Sequence, residues 1–313
     1  MIKATGLRKS FGTLEAVKDV SLDIRPGEIY GLVGADGAGK TTTLRLLVGA
    51  LKADAGTVEI CGFDVASQVE QARSQVGYLS QKFSLYEDLT VLENIHFFAE
   101  VRGMARSEWQ PRSDEILDFV GLSEFKERIA GKLSGGMKQK LGLATALVAK
   151  PRVLLLDEPT TGVDPVTRQD FWKLIIKLST ESGRSGFSVL LTTPYMDEAA
   201  RCNRIGFMKA GKIIREGTPT QMRESFQNAV IEVQVDGGHH IKDILSKIAG
   251  VEDVRTFGDR LHLIVKKNEV DQISSLAAKV VEKSGVQLRS LKIIPPTLED
   301  AFISLSAYDE RHP

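Results

Sequence analysis

Gly34-Ala35-Asp36-Gly37-Ala38-Gly39-Lys40-Thr41 decides how the rest of the chain is read. The octapeptide fits the G-x-x-x-x-G-K-[ST] phosphate-binding loop. Ile29 to Val33 before it reads as a buried strand. Thr42 to Leu51 after it reads as a helix with Leu44, Leu47, Val48 and Leu51 on one face. The glycines allow a tight turn with N–H groups aimed at a polyphosphate, and the helix N-terminus adds a positive dipole end. Lys40 is expected to reach the β- and γ-phosphates, and the Thr41 hydroxyl to bind Mg²⁺. An ordinary Gly-rich turn between strand and helix does not require Gly, Lys and Thr at this spacing.

The chain has 313 residues and a net charge of zero. That length suggests about two domains. Neutrality gives no electrostatic case for nucleic acid or an anionic membrane surface. The longest apolar runs, such as Val153 to Leu156, are too short to cross a bilayer. Met1 to Gly6 lacks the apolar core of a secretory leader. Cys61 and Cys202 lack metal or redox spacing and read as reduced cytosolic thiols.

Residues 1–33 read as an antiparallel β-layer in which Val20, Leu22 and Ile24 alternate inward. Phe11 falls near a strand end. An aromatic there suits either stacking on an adenine ring or filling the core, and the pattern alone favours the core. More short strands are expected over residues 55–80, the last leading into Gln81, which suits either a sensor of Mg²⁺ and attacking water or a solvent-facing loop. Residues 84–134 read as a helical insertion. It opens with the capping box Thr90-Val91-Leu92-Glu93, and a second helix follows Pro111 with Ile116, Leu117 and Val120 inward. Ser134 caps the next helix, and Gly135 and Gly136 expose backbone N–H groups, making a second anion site or a plain helix cap.

Val153 to Leu156 is an apolar run ending in Asp157-Glu158, as a central parallel strand would. Asp157 suits Mg²⁺, and Glu158 suits polarising a water for attack on a γ-phosphate. Thr161 to Asp164 is a turn, with Asp164 either contacting a partner subunit or simply forming the turn. Ser188 to Thr193 is another buried strand. Arg204 to Met208 and Lys212 to Arg215 read as a hairpin turned at Ala210-Gly211. From about residue 228 Ile231, Val233 and Val235 alternate as a strand, Ile241, Ile244, Leu245 and Ile248 make an amphipathic helix, and Val251 to Phe257 and Leu261 to Val265 form a hairpin across Gly258-Asp259. Val270, Ile273, Leu276, Ala277 and Val280 make a second helix and Val286 to Ile293 a last strand, so the order is β-α-β-β-α-β, a ferredoxin-like pattern, with a last helix after Pro295-Pro296. No catalytic constellation appears there, and His239-His240 reads as a solvated turn.

Together these motifs resemble the ATP-binding subunit of an ABC transporter, over roughly residues 1–220. Gly34 to Thr41 is similar to the Walker A loop and Leu133 to Met137 to the LSGGQ signature. Val153 to Glu158 is similar to Walker B with its catalytic glutamate. Gln81, Thr161 to Asp164 and Phe11 fall where the family's Q-loop glutamine, D-loop and adenine-stacking aromatic fall. The C-terminal part, with Pro296-Thr297-Leu298-Glu299-Asp300-Ala301-Phe302, resembles the regulatory domain of ABC-2 type exporter ATPases.

The resemblance implies an α/β P-loop NTPase cassette over residues 1–222, with a RecA-like core, an antiparallel β layer and a helical subdomain over about 84–134. A small α+β ferredoxin-like domain follows over 228–313. It implies ATP and Mg²⁺ as ligands, with Gly34, Ala35, Asp36, Gly37, Ala38, Gly39, Lys40, Thr41, Thr42 and Phe11 on the nucleotide. Thr41, Gln81 and Asp157 would lie on the metal, with Glu158, Gln81 and Lys40 at the chemistry. Ser134, Gly135, Gly136 and Asp164 would meet the ATP held by a second cassette, in a homodimer or heterodimer. An integral membrane permease would dock on the helical subdomain and place the chain on the cytoplasmic face. Nucleic acid is not expected.

Three residues depart from the family pattern: Met137 replaces the signature's glutamine, Asp36 is acidic beside the phosphate loop, and Pro194 stands where the family has its switch histidine. None of the five histidines, His96, His239, His240, His262 and His312, is near that strand end in sequence. The leading expectation is an exporter ATPase. The alternative is a cassette that binds ATP and dimerises but turns over slowly. A soluble ABC protein of DNA repair or translation fits less well, because the chain has one cassette, no long coiled coil and no basic surplus.

Overall fold

Five parallel strands and one antiparallel edge strand carry the phosphate loop and both acidic residues at their C-terminal ends. The computed structural model describes residues 1–81, 84–181, 187–236 and 241–311. These divide into two compact units, Met1–Pro219 and Thr220–Pro313. In the first, β1 (Ile2–Phe11) and β2 (Leu14–Ile24) precede β3 (Ile29–Val33), which leads through the loop into α1 (Lys40–Leu47). Then come β4 (Ala55–Ile60), β5 (Phe63–Asp64), α2 (Val69–Ser74) and β6 (Val76–Leu79). Helices α3 (Val91–Val101), α4 (Arg106–Val120) and α5 (Gly135–Leu147) follow. The chain returns to the sheet with β7 (Val153–Asp157), α6 (Pro165–Glu181), β8 (Ser188–Thr193), α7 (Met196–Ala199), β9 (Arg204–Lys209) and β10 (Lys212–Gly217).

The main sheet has the order β10-β9-β3-β8-β7-β6. Every residue of β3, β7 and β8 is buried, as expected for parallel strands covered on both faces. A second, antiparallel sheet has the order β2-β1-β4-β5 and turns Val20, Leu22 and Ile24 into the shared core. This is the α/β cassette architecture expected above. No helix among the described residues is long and apolar enough to cross a membrane.

Several expectations need correction. The antiparallel layer ends at Ile24, because β3 pairs in parallel with β8 and β9, and β4 and β5 complete the layer instead. Helix α1 stops at Leu47 rather than Leu51, since Gly49 takes a left-handed φ of 67°. Helix α2 lies where only strands were expected. It has few apolar positions, and Arg73 anchors it by donating to the Val48 and Gly49 carbonyls that end α1. Helix α4 begins five residues before Pro111 and holds that proline inside. Its start is set by Glu108, which accepts the Ala105 N–H at 2.8 Å, and by buried Trp109 stacked on His96. The capping box at Thr90 and Glu93 forms as expected.

The second unit contains α8 (Pro219–Glu224, whose first residue closes the first unit), β11 (Ala229–Val235), α9 (Ile241–Leu245) and the hairpin β12 (Val251–Phe257) and β13 (Arg260–Val265). Helix α10 (Val270–Lys283), β14 (Leu288–Ile294) and α11 (Leu298–Arg311) complete it. The sheet order β12-β13-β11-β14 is the ferredoxin-like one. Here Ile248 is buried but lies beyond the end of α9, Leu276 is exposed where a core position was expected, and β14 starts at Leu288 rather than Val286. His239 and His240 lie outside the described residues.

The start of α11 is fixed by Asp300, which is fully buried and accepts the Thr297 N–H at 3.0 Å, the Thr297 hydroxyl at 2.7 Å and His262 Nδ1 at 3.2 Å. Burial opposes ionisation, but the hydrogen bonds from His262 and Thr297 outweigh it and hold the Asp300 carboxyl below the ordinary carboxylate range. A carboxyl held low stabilises the folded state above its unfolded pKa, and the contribution is lost as pH falls through the lower folded value. Asp300→Asn is therefore expected to be less stable than the parent protein near pH 6, with the gap closing below about pH 4 in denaturant titrations. A gap unchanged across that range would contradict the assignment.

Candidate nucleotide site

Lys40 opens α1 with its side chain folded back into the loop that precedes it. Its Nζ donates to the Gly34 carbonyl at 2.8 Å and the Ala35 carbonyl at 3.0 Å, and lies 3.0 Å from Glu158 Oε1. Both side chains are buried. Glu158 Oε2 accepts a hydrogen bond from Gln81 Nε2 at 2.9 Å. Glu158 itself has φ 47°, a left-handed conformation that costs a non-glycine residue about 1–3 kcal/mol unless its surroundings hold it. Its N–H donates to Thr192 Oγ1 at 2.9 Å.

Asp157, one residue earlier, is equally enclosed. Its Oδ1 accepts from the Thr41 hydroxyl at 2.9 Å and the Thr192 hydroxyl at 2.8 Å. Tyr78 on β6 donates to Oδ2 at 3.4 Å. Burial, and then the Asp157 charge, push the Tyr78 phenol up to about 12, so it stays protonated and remains a donor. The adjacent Thr41 and Asp157 oxygens form a hard donor pair of the kind that suits Mg²⁺, which also takes waters and phosphate oxygens. Gln81, the third expected ligand, is hydrogen-bonded to Glu158.

A cleft of about 460 Å³ opens over this cluster. Phe11, Asp36, Gly37, Gly39, Lys40, Thr41, Thr42, Gln81 and Glu158 line it. Gly34, Ala35 and Ala38 lie behind, the first two through their carbonyls on Lys40 and the third through its carbonyl on the Gly211 N–H. Phe11 is 48 % exposed at the mouth, which overturns the core reading of that residue. Gly39 has φ 106°, and a Cβ there would stand 2.5 Å from the Ala16 carbonyl oxygen, so the loop closes only with glycine. The cleft and its glycine-built cradle fit a nucleotide polyphosphate.

Ser134, Gly135, Gly136 and Asp164 do not line this cleft. The Ser134 hydroxyl accepts the Met137 N–H and caps α5, with Ser134 and Gly135 exposed. Asp164 caps α6 by accepting the Val166 and Thr167 N–H groups. Hydrogen bonds from Thr167 hold Asp164 below the ordinary carboxylate range. Thr167 also packs on Gly136, where a Cβ would stand 2.3 Å from its Cγ2. The two helix starts thus form one surface patch, joined by Thr167.

The sequence places a hairpin turn at Ala210-Gly211, as observed, but it assigns no site role to that turn, to Tyr78 or to Thr192. Thr192 pairs in parallel register with Asp157. A signal for it existed, because both apolar strands end in polar residues on the sheet edge where α/β proteins bind ligands. Nothing local to the turn places it at the cleft. It reaches the cleft because the Lys18 N–H donates to the Gly211 carbonyl at 2.8 Å and the Gly211 N–H to Ala38 at 2.9 Å.

A family model described as ABC transporter matches residues 17–161, and one described as the ATP-binding protein DrrA1-3-like, C-terminal domain matches residues 217–306. The chain is 37% identical over 309 residues to the probable multidrug ABC transporter ATP-binding protein YbhF of Escherichia coli (strain K12), aligning 97% of itself with 52% of that protein. It thus spans about half the length of that relative. It is 34% identical to the Nod factor export ATP-binding protein I of Cupriavidus metallidurans, covering 99% of both chains. It is 31% identical to the daunorubicin resistance ATP-binding protein DrrA2 of Streptomyces coeruleorubidus, over 98% and 95% of the two chains. Among solved structures, an ATP-binding subunit of an ABC transporter superimposes with TM-score 0.65 at 26% identity, covering 72% of this chain and 93% of the other. A dimeric ATP-binding cassette in a post-hydrolysis state, bound to ADP and Pi, gives TM-score 0.63 at 29% identity, over 70% and 98%.

The Lys40–Glu158 pair makes a prediction for the nucleotide-free protein. A double-mutant cycle of Lys40→Met and Glu158→Ala, read in urea titrations, is expected to return a coupling of about 1–3 kcal/mol. Additive effects would show that the two charges do not act as a unit.

Proposed function

The chain belongs to the ABC transporter family as an ATP-binding cassette, and from that premise we propose that it hydrolyses ATP to power export through a separate membrane permease. One observation carries the reading: Lys40 at the end of its loop, Asp157-Glu158 at the end of β7 and Gln81 after β6 meet on one edge of the main sheet. ATP lays its phosphates on the Gly34–Thr41 loop and its adenine on Phe11, with Asp36 to Gly39 and Thr42 around the polyphosphate. Lys40 exchanges Glu158 for the β- and γ-phosphates. Thr41 and Asp157, with Gln81, would hold Mg²⁺, which would supply charge neutralisation to the phosphates. Glu158, released from Lys40, accepts the proton of the attacking water while Gln81 orients that water. Positioning and charge stabilisation supply most of the acceleration.

The Ser134–Gly136 start of α5 offers backbone N–H groups and a positive dipole end on an exposed surface. It receives the γ-phosphate of the ATP held by a second cassette, with Asp164 beside it. Two cassettes, identical or not, therefore sandwich two nucleotides. The permease docks on the helical subdomain near Gln81, which places the chain on the cytoplasmic face of the membrane, and the ferredoxin-like unit regulates the cycle.

Pro194 favours a second reading, a slowly hydrolysing cassette that acts by binding ATP and dimerising. Proline at the end of β8 offers no imidazole and no N–H to a γ-phosphate. Steady-state phosphate release separates the two. Turnover at least about tenfold above a Lys40→Ala control is expected for the ATPase, since general-base chemistry alone contributes 10²–10⁴. Turnover equal to that control supports the binding module. Glu158→Gln is expected to keep ATP binding and elute as a dimer with ATP in size-exclusion chromatography, and a monomer would count against the sandwich. Pro194→His is expected to raise turnover, and an unchanged rate would make the missing imidazole irrelevant.

A further inference from the structure

Glu198 is a buried carboxylate that the steps above do not use. It lies on α7, four residues beyond Pro194, and is fully shielded from solvent. Its Oε1 accepts the Thr160 hydroxyl, and its Oε2 accepts the Thr193 hydroxyl at 2.6 Å. Arg168 Nε stands 3.6 Å from Oε1, with its guanidinium 4.3 Å over the Tyr195 ring. A desolvated charge is tolerated only when paired in this way.

The three partners belong to three segments of the site. Thr160 lies two residues after Glu158, and its carbonyl accepts the Val163 N–H in the turn that runs to Asp164. Thr193 ends β8, and its carbonyl accepts the N–H of Gly34, the first residue of the phosphate loop, at 3.3 Å. Arg168 sits one turn into α6, where its N–H donates to the Asp164 carbonyl at 3.0 Å. Glu158 has the left-handed φ noted above, so the segment it begins must be held by its surroundings. Thr192 holds the Glu158 N–H, and Glu198 holds the other side of the turn through Thr160.

We propose that Glu198 is a positioning residue of the hydrolytic reaction, locking the Glu158–Thr161 turn against the phosphate loop and the helix that Asp164 caps. It supplies at this strand end a fixed geometry that the Pro194 side chain does not provide. The inference rests on the ATPase reading. Glutamine is the conservative replacement, because its amide oxygen accepts from Thr193 while its NH₂ donates to a Thr160 hydroxyl that turns acceptor.

The test is steady-state and binding analysis of the full chain with Glu198→Ala, Glu198→Gln, Thr160→Val and the Glu198→Ala/Thr160→Val double variant. Glu198→Ala is expected to lower kcat roughly 10- to 100-fold, the cost of misplacing a reacting group by about an ångström. The ATP Kd is expected to stay within about threefold, the signature of an interaction used in the transition state. Glutamine is expected to restore most of kcat, and the double variant to be no slower than Glu198→Ala. If Glu198→Ala fails to fold, Thr160→Val and Glu198→Gln carry the same comparison. A kcat unchanged in both Glu198→Ala and Thr160→Val overturns the proposal, as does a kcat loss matched by an equal loss of ATP affinity. Parent turnover no higher than Lys40→Ala sinks the ATPase reading itself and takes this inference with it, an outcome distinct from the other two.

Discussion

Lys40 and Glu158 stand 3.0 Å apart with each side chain almost wholly withdrawn from water. Neither ion is tolerable there alone, because a buried unpaired charge costs several kcal/mol. The pair exists only because the sheet order places β3 and β7 on either side of β8, with all three running the same way. The phosphate loop leaves one strand and the acidic pair ends another. Thr192, on the strand between, is tied to both Asp157 and Glu158. In the proposed cycle the incoming phosphates replace one anion on Lys40 by another and set Glu158 free for the water. In that proposed cycle the one pair supplies both the cation that meets the phosphates and the carboxylate that takes the water's proton.

Much of this was legible in the sequence because the deciding signals are local. A glycine-rich loop between strand and helix, an apolar run ending in two carboxylates and a Thr-x-x-Glu cap each fit within ten residues. The alternation of Ile231, Val233 and Val235, and the turn at Gly258-Asp259, placed the second unit in the same way. What escaped depends on contacts between distant segments. Helix α4 starts where Trp109 docks on His96, so Pro111 is misleading as a boundary. Phe11 reads as core because an aromatic near a strand end usually is, yet it ends up lining the cleft mouth. The Ala210-Gly211 turn joins the site through two backbone hydrogen bonds that no local pattern encodes.

The end of β8 is held from within the sheet. Pro194, directly after β8, has a side chain that donates no hydrogen bond. The Thr192 hydroxyl donates to the Asp157 carboxylate that ends β7 and accepts the Glu158 N–H, and the Thr193 hydroxyl donates to Glu198. The geometry around Glu158 is therefore carried by hydrogen bonds from neighbouring strands. The second unit keeps its own core, and its buried polar cluster at Asp300, His262 and Thr297 fixes a helix start.

The most direct test of the account is a crystal or cryo-EM structure of the Glu158→Gln protein with ATP and Mg²⁺. The account predicts Lys40 Nζ within about 3 Å of a β- or γ-phosphate oxygen, a charge-assisted contact, with the Ser134–Gly136 segment of a second cassette on the far side of the same γ-phosphate. Nucleotide bound with Lys40 turned away from the phosphates, or with no second cassette over them, would contradict it.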